Sequence, residues 1–186
     1  MTISDDSEAT FGYLSTWDSP EHGCLGGYLV VSELGRPMEF HCTAPVRTNR
    51  AQQILFGPTL WPYVMGEHIG RALLREAKLR PCVFLIDHPA TLCLRPQLWA
   101  PMVLLKPLGE GELKPMDPPA NHREATKYNC EFAAGYEDDC GPVTDLLATL
   151  AQHVDLAEPF DRIREAIREA QRLGACDQQD AHDQAA

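Results

Sequence analysis

The chain has 186 residues, 44% of them hydrophobic, and its 27 acids against 16 Lys and Arg give a formal net charge of −11. That length suits one core-forming domain, alone or with an appendage. The acidity disfavours tight nucleic-acid binding, which needs clustered Lys and Arg against phosphates, and no apolar run approaches the roughly 18 residues of a membrane span.

The N-terminus, Met1 to Glu8, is acidic and polar. It lacks the basic start and apolar stretch of a secretory signal, so a cytoplasmic location is expected. Seven cysteines then read as reduced thiols, and their odd number and scattered spacing argue against a disulfide framework. Charge is segregated. Residues 1–24 hold five acids and no base; residues 25–105 hold five acids and eight bases; residues 106–140 hold eight and four; residues 141–186 hold nine and four. A mildly basic centre between acidic ends suits self-association or an acidic protein partner, although ordinary surface charge produces the same pattern.

Residues 1–21 lack clear periodicity, with Phe11, Tyr13, Leu14 and Trp17 available for a short strand or a packed arm. Residues 22–43 read as a β-hairpin. Leu29 and Val31 alternate with Tyr28 and Val30, and Met38, Phe40 and Cys42 alternate with Glu39, His41 and Thr43, which predicts a half-buried second strand with Met38, Phe40 and Cys42 inward. Gly35 belongs in the turn and Pro37 at the strand start. Asn49 and Gln52 predict a capping box for a helix over residues 50–56, stopped by Gly57-Pro58. A second helix starts near Pro62, with Met65, Ile69, Ala72 and Leu73 on one face and Lys78 and Arg80 at its close before Pro81. Residues 82–86 read as a strand buried on both faces, and Trp99 to Leu105 as a weaker strand interrupted by Pro101. Residues 106–119, with four prolines and three acids, read as a linker or exposed loop. A helix opening at Gly141-Pro142 places Val143, Leu146, Leu147, Leu150 and Val154 on one face. Another from Pro159 turns Phe160, Ile163, Ile167 and Ala170 inward and Arg164, Glu165, Arg168, Glu169 and Arg172 outward, with Gly174 as its stop.

The expected fold is α+β: a small, mostly antiparallel sheet built from the N-terminal hairpin and the buried strand, a central helix, and a C-terminal helical hairpin. The expected division is a core over 1–105, an acidic Pro/Gly-rich loop over 106–140, the helical hairpin over 141–174 on the core or on a partner, and a disordered tail over 175–186. The β-β-α-β order is similar to that of roadblock-like and profilin-like interaction domains, a likeness of fold alone.

Five clusters carry chemical potential. His22, Cys24, His41 and Cys42 offer a ligand set that zinc accepts, but His41 and Cys42 are strand neighbours pointing to opposite faces, and the spacing matches no standard zinc motif. The plain alternative is Cys42 buried beside Phe40, with His41 at the surface. Asp87, His88 and Cys93 form the second cluster, in which His88 lowers the thiol pKa and Asp87 orients the ring of a thiol-dependent enzyme. His88-Pro89 with Cys93-Leu94 resembles a stretch of ubiquitin-conjugating enzymes. It departs from them in Ala90, where they carry Asn, and in the helix that precedes it, so no membership follows. The plain alternative is a strand-ending turn. Cys130 and Cys140, near His122, are a third zinc or redox candidate, and the acids between them disfavour a reactive thiolate. Gly66 and Gly70 permit close approach of another backbone, either the molecule's own sheet or a second subunit. Arg71, Arg75 and Lys78, with Arg47 and Arg50 upstream, form a basic strip that fits an acidic segment. With no convergent catalytic set, the expected function is a non-catalytic protein–protein interaction module, an adaptor or accessory subunit without a cofactor. A thiol enzyme or a zinc protein is the alternative.

Overall fold

The computed structural model describes the backbone of residues 9–107, 122–125 and 128–183, and side chains over 9–107 and 128–173. Seven strands form one mixed sheet: β1 (Thr10–Ser19), β2 (Gly23–Ser32), β3 (Pro37–Cys42), β4 (Val83–Ile86), β5 (Met102–Pro107), β6 (His122–Ala125) and β7 (Tyr128–Phe132), in the order β3-β2-β1-β4-β5-β7-β6. The fold is α+β, as the sequence predicts, but the sheet is neither small nor mostly antiparallel at its centre. β1 pairs parallel with β4, and β4 parallel with β5, while antiparallel pairs flank this core on both sides. β1 escapes periodicity because Phe11 to Thr16 are buried on both faces, so no polar residue marks a solvent side. Residues 128–132, expected in the acidic loop, supply β7, and Tyr128, Cys130 and Phe132 join the core. The same expected loop also supplies the end of β5 and all of β6, and its residues 108–121 and 126–127 lie outside the described residues.

Helical layers cover both faces. On one face, α3 (Cys140–Leu150) and α4 (Glu158–Asp183) press Val143, Leu147, Leu150, Phe160, Ile163 and Ile167 onto Tyr13, Leu29, Leu85 and Val103. The helical hairpin therefore packs on the core itself. On the other face, the segment from Pro62 to Glu76 and a 3-10 turn at Pro89–Gln97 bury Met65, Ile69, Leu73 and Leu94 against Leu14, Tyr28, Phe84 and Leu104. Each large apolar side chain removed from water contributes about 2 kcal/mol. Gly26 and Gly27 let both layers close. A Cβ on Gly26 would sit 2.3 Å from Cγ2 of Ile69, and one on Gly27 2.5 Å from Cγ2 of Ile163.

Helix α1 (Arg50–Phe56) has the expected capping box: Asn49 Oδ1 accepts from the Gln52 amide at 2.8 Å, and Gln52 Oε1 from the Asn49 amide at 3.0 Å. The helix expected from Pro62 is wound as a π-helix over Pro62–Gly70 and becomes α-helical only in α2 (Arg71–Glu76). It ends before Lys78 and Arg80, because Ala77 turns extended and Glu39 captures the amides of Lys78 at 2.7 Å and Leu79 at 2.8 Å. The wide winding also moves Ala72 outward, leaving it exposed.

Strand β3 reverses its expected orientation. Met38 and Phe40 are 48% and 40% exposed and Cys42 is exposed, while Glu39 and His41 are turned toward the body. Helix α4 buries Phe160, Ile163 and Ile167 but exposes Ala170. Its backbone continues helical past Gly174, the expected stop, to Asp183; residues 184–186 lie outside the described residues.

Candidate functional site

The four hairpin ligands do not converge. His22 Nδ1 lies 3.4 Å from Ser19 Oγ. Cys24 is buried and its thiol faces Asp18 at 3.7 Å; burial first, and then the Asp18 charge, push it up to about 11. His41 Nε2 meets Glu39 Oε1 at 2.7 Å. Burial raises Glu39, but this ring and the amides of Leu79 and Lys78 outweigh it and hold the carboxyl below its usual range. Cys42 is exposed on the opposite face of β3 from His41 rather than buried beside Phe40. Among the described residues, no group of three or more His, Cys, Asp and Glu side chains is placed to hold a metal.

The Asp87, His88 and Cys93 set is also dispersed. Asp87 follows the central parallel strand β4 and turns toward α4. It accepts from Ser15 Oγ at 2.6 Å, from the Thr16 amide at 3.3 Å and from Arg164 Nη2 at 2.6 Å. His88 faces away and caps the 3-10 turn, its Nδ1 accepting from the Ala90 amide at 3.2 Å. Burial lowers the His88 pKa against the opposing Asp87 charge. The Cys93 thiol donates to the Pro62 carbonyl at 3.6 Å, and burial, then Glu67, raise its pKa. A nucleophilic thiolate needs the opposite shift. Cys130 on β7 and Cys140 at the start of α3 are both buried in the core, and the side chain of His122 lies outside the described residues.

Gly66 and Gly70 face the molecule's own interior rather than a subunit contact. A Cβ on Gly66 would stand 2.3 Å from Cys93 Sγ and 3.2 Å from the Ala90 carbonyl; one on Gly70 would stand 2.7 Å from Cδ1 of Leu94. Both glycines let the π-helix lie against the 3-10 turn.

The basic strip separates into parts. Arg47 clamps the β1–β2 turn, donating to the carbonyls of Glu21 at 2.7 Å and His22 at 3.4 Å. Lys78 sits on the extended segment held by Glu39. Arg71 and Arg75 share an open depression of about 350 Å³ with Tyr63, Glu67, His68 and Ala72. Arg71 makes one loose ion pair, 3.8 Å to Glu67, and its Nε is buried without a hydrogen-bond partner.

Beside this depression stands an exposed apolar surface. Helix α1 buries none of its residues, and Ile54 and Leu55 are 66% and 81% exposed. Phe56 stacks on Tyr63 at a ring-centroid distance of 4.5 Å, and Trp61 and Tyr63 are 39% and 37% exposed. The signal was present: adjacent Ile54 and Leu55 lie about 100° apart around a helix axis, and a two-turn helix flanked by Gln52, Gln53 and Arg50 has no stripe to bury. Segment 44–66 contains Arg47 and Arg50 and no acid. The geometry thus offers large apolar groups for contact and guanidinium groups for carboxylates, with no activated nucleophile among the described residues.

No protein-family model matches this chain, and no curated protein matches it.

Proposed function

We propose that the chain is a non-catalytic protein–protein interaction module, an adaptor or accessory subunit, whose docking surface is α1 with the π-helix behind it. The observation that carries this reading is the exposure of Ile54 and Leu55 on a helix that buries none of its residues and touches the body through Phe56. Scattered single apolar residues need no explanation, but a cluster with Trp61 and Tyr63 resembles an interface centre, where aromatic residues and Arg concentrate. The fitting partner is a protein segment with aliphatic side chains next to Asp or Glu, the latter facing Arg71 and Arg75. A second copy of this acidic chain meets the same description, and size distinguishes the two. No helix among the described residues is long and apolar enough to cross a membrane. The proposed setting is the reducing cytosol, which suits the exposed thiols of Cys42, Cys82 and Cys93.

The test compares the wild type with Ile54→Asp/Leu55→Asp and with Arg71→Glu/Arg75→Glu, each checked for native circular dichroism. Sedimentation gives the oligomeric state, and quantitative mass spectrometry gives the proteins retained from the native host. The reading requires a dimer or a defined partner that both double variants lose. A monomer whose retained proteins are the same for all three forms overturns it.

A further inference from the structure

A second charged cleft lies on the other helical layer, between the β1–β2 turn and α4. It has a volume of about 500 Å³ and is lined by His22, Arg168, Gln171 and Arg172. Among the described residues, no carboxylate lines it. Its walls come from parts of the chain more than 140 residues apart, and the turn is fixed: Arg47 holds the Glu21 and His22 carbonyls, and Gly23 takes a φ of 93°.

Arg164, Arg168 and Arg172 follow one another at i, i+4 and i+8 on α4, so they form a single row of like charges that weakens a helix. The first is neutralised by Asp87 at 2.6 Å. The second has no hydrogen-bond or ion-pair partner among the described residues. Among the described residues the third meets only Glu169, at 3.6 Å and largely in solvent. Between the last two, Gln171 Nε2 is buried without a hydrogen-bond partner. His22 completes the rim, with Glu21 3.9 Å from its Nδ1. Glu165 and Glu169 lie in the adjacent depression along the helix. Two guanidinium groups, an imidazole and the Gln171 side chain line one cleft, a donor set that suits an oxyanion, because planar guanidinium forks match phosphate oxygens.

We propose that this cleft binds the phosphate group of a small phosphorylated solute. The cleft volume fits a ligand of that class. The proposal stands apart from the docking surface on α1, which belongs to the opposite helical layer.

The experiment titrates inorganic phosphate and, separately, glycerol phosphate into the ¹⁵N-labelled protein at low ionic strength and follows amide resonances. Saturable shifts at residues 21–23 and 168–172 are expected, with a dissociation constant of about 1 mM or tighter. Arg168→Gln and Gln171→Leu should each weaken binding about tenfold or more while melting stays unchanged. Arg75→Gln, in the other basic depression, should leave it unaltered. Acetate at equal concentration should shift these resonances less than phosphate, and raised salt should weaken phosphate binding. The proposal is overturned if shifts are absent or unsaturable, if Arg75→Gln weakens binding as much as Arg168→Gln, or if acetate binds equally. It is also overturned if only vesicles containing phosphatidic acid, or only a phosphopeptide, bind.

Discussion

Replacing Arg164 by Gln strands the buried Asp87 carboxylate. Asp87 is 10% exposed and takes three hydrogen bonds, of which the Arg164 contact at 2.6 Å alone brings opposite charge. Removing one partner of a buried pair costs about 3–5 kcal/mol. Arg164 is 33% exposed, so water already screens part of its field, and the expected loss is lower, about 2 kcal/mol at neutral pH. For a chain of this length that lowers the melting temperature by about 5 °C. The pH dependence is the sharper readout. Burial raises the Asp87 pKa above its ordinary value, against the opposing pull of Ser15 and Arg164. A carboxyl that binds its proton more tightly folded than unfolded stabilises most below the ordinary aspartate pKa, and this contribution falls as pH rises through the folded value. Arg164 limits that fall, so its loss steepens it. The deficit of Arg164→Gln relative to wild type should be small near pH 4 and full at pH 7.5 in urea unfolding. In an Asp87→Asn background the same substitution should cost under about 0.5 kcal/mol, since no buried charge remains to strand. An equal deficit at both pH values, or an undiminished cost once Asp87 is replaced, refutes the account.

Three further outcomes follow from local geometry. Gly66→Ala drives a methyl to 2.3 Å from Cys93 Sγ and should destabilise by about 2 kcal/mol; adding Cys93→Ala should recover part of this in thermal melts. Asn49→Ala removes the capping box and should weaken α1 by about 1 kcal/mol. Because α1 buries nothing, the loss should appear as faster amide exchange over 50–56 with an unchanged global melting temperature. At pH 7 Cys93 should alkylate with iodoacetamide no faster than the exposed Cys42 and Cys82, since its pKa is raised; an order-of-magnitude faster reaction reopens the thiol-enzyme reading.

The amino-acid sequence by itself determined the punctuated and amphipathic parts of this protein. The Asn49 capping box, the Gly35 turn, the buried strand at Val83–Ile86, and the apolar stripes of α3 and α4 all follow from signals within a few residues. Only the tertiary structure decided the rest. β1 pairs on one side with β4, far along the chain, and its doubly covered faces erase the period that marks a strand. β7 does alternate Tyr128, Cys130 and Phe132 with Asn129 and Glu131, but its place in the sheet depends on pairing with β5, whose residues lie more than 20 positions back. The outward turn of Met38 and Phe40 depends on Glu39 reaching the amides of Lys78 and Leu79 across the layer, a bond between residues about 40 positions apart. The dispersal of His22, Cys24, His41 and Cys42, and the meeting of Arg164 with Asp87, were likewise set by how two helical layers close on the sheet, because a side chain's chemistry depends on what folding brings beside it.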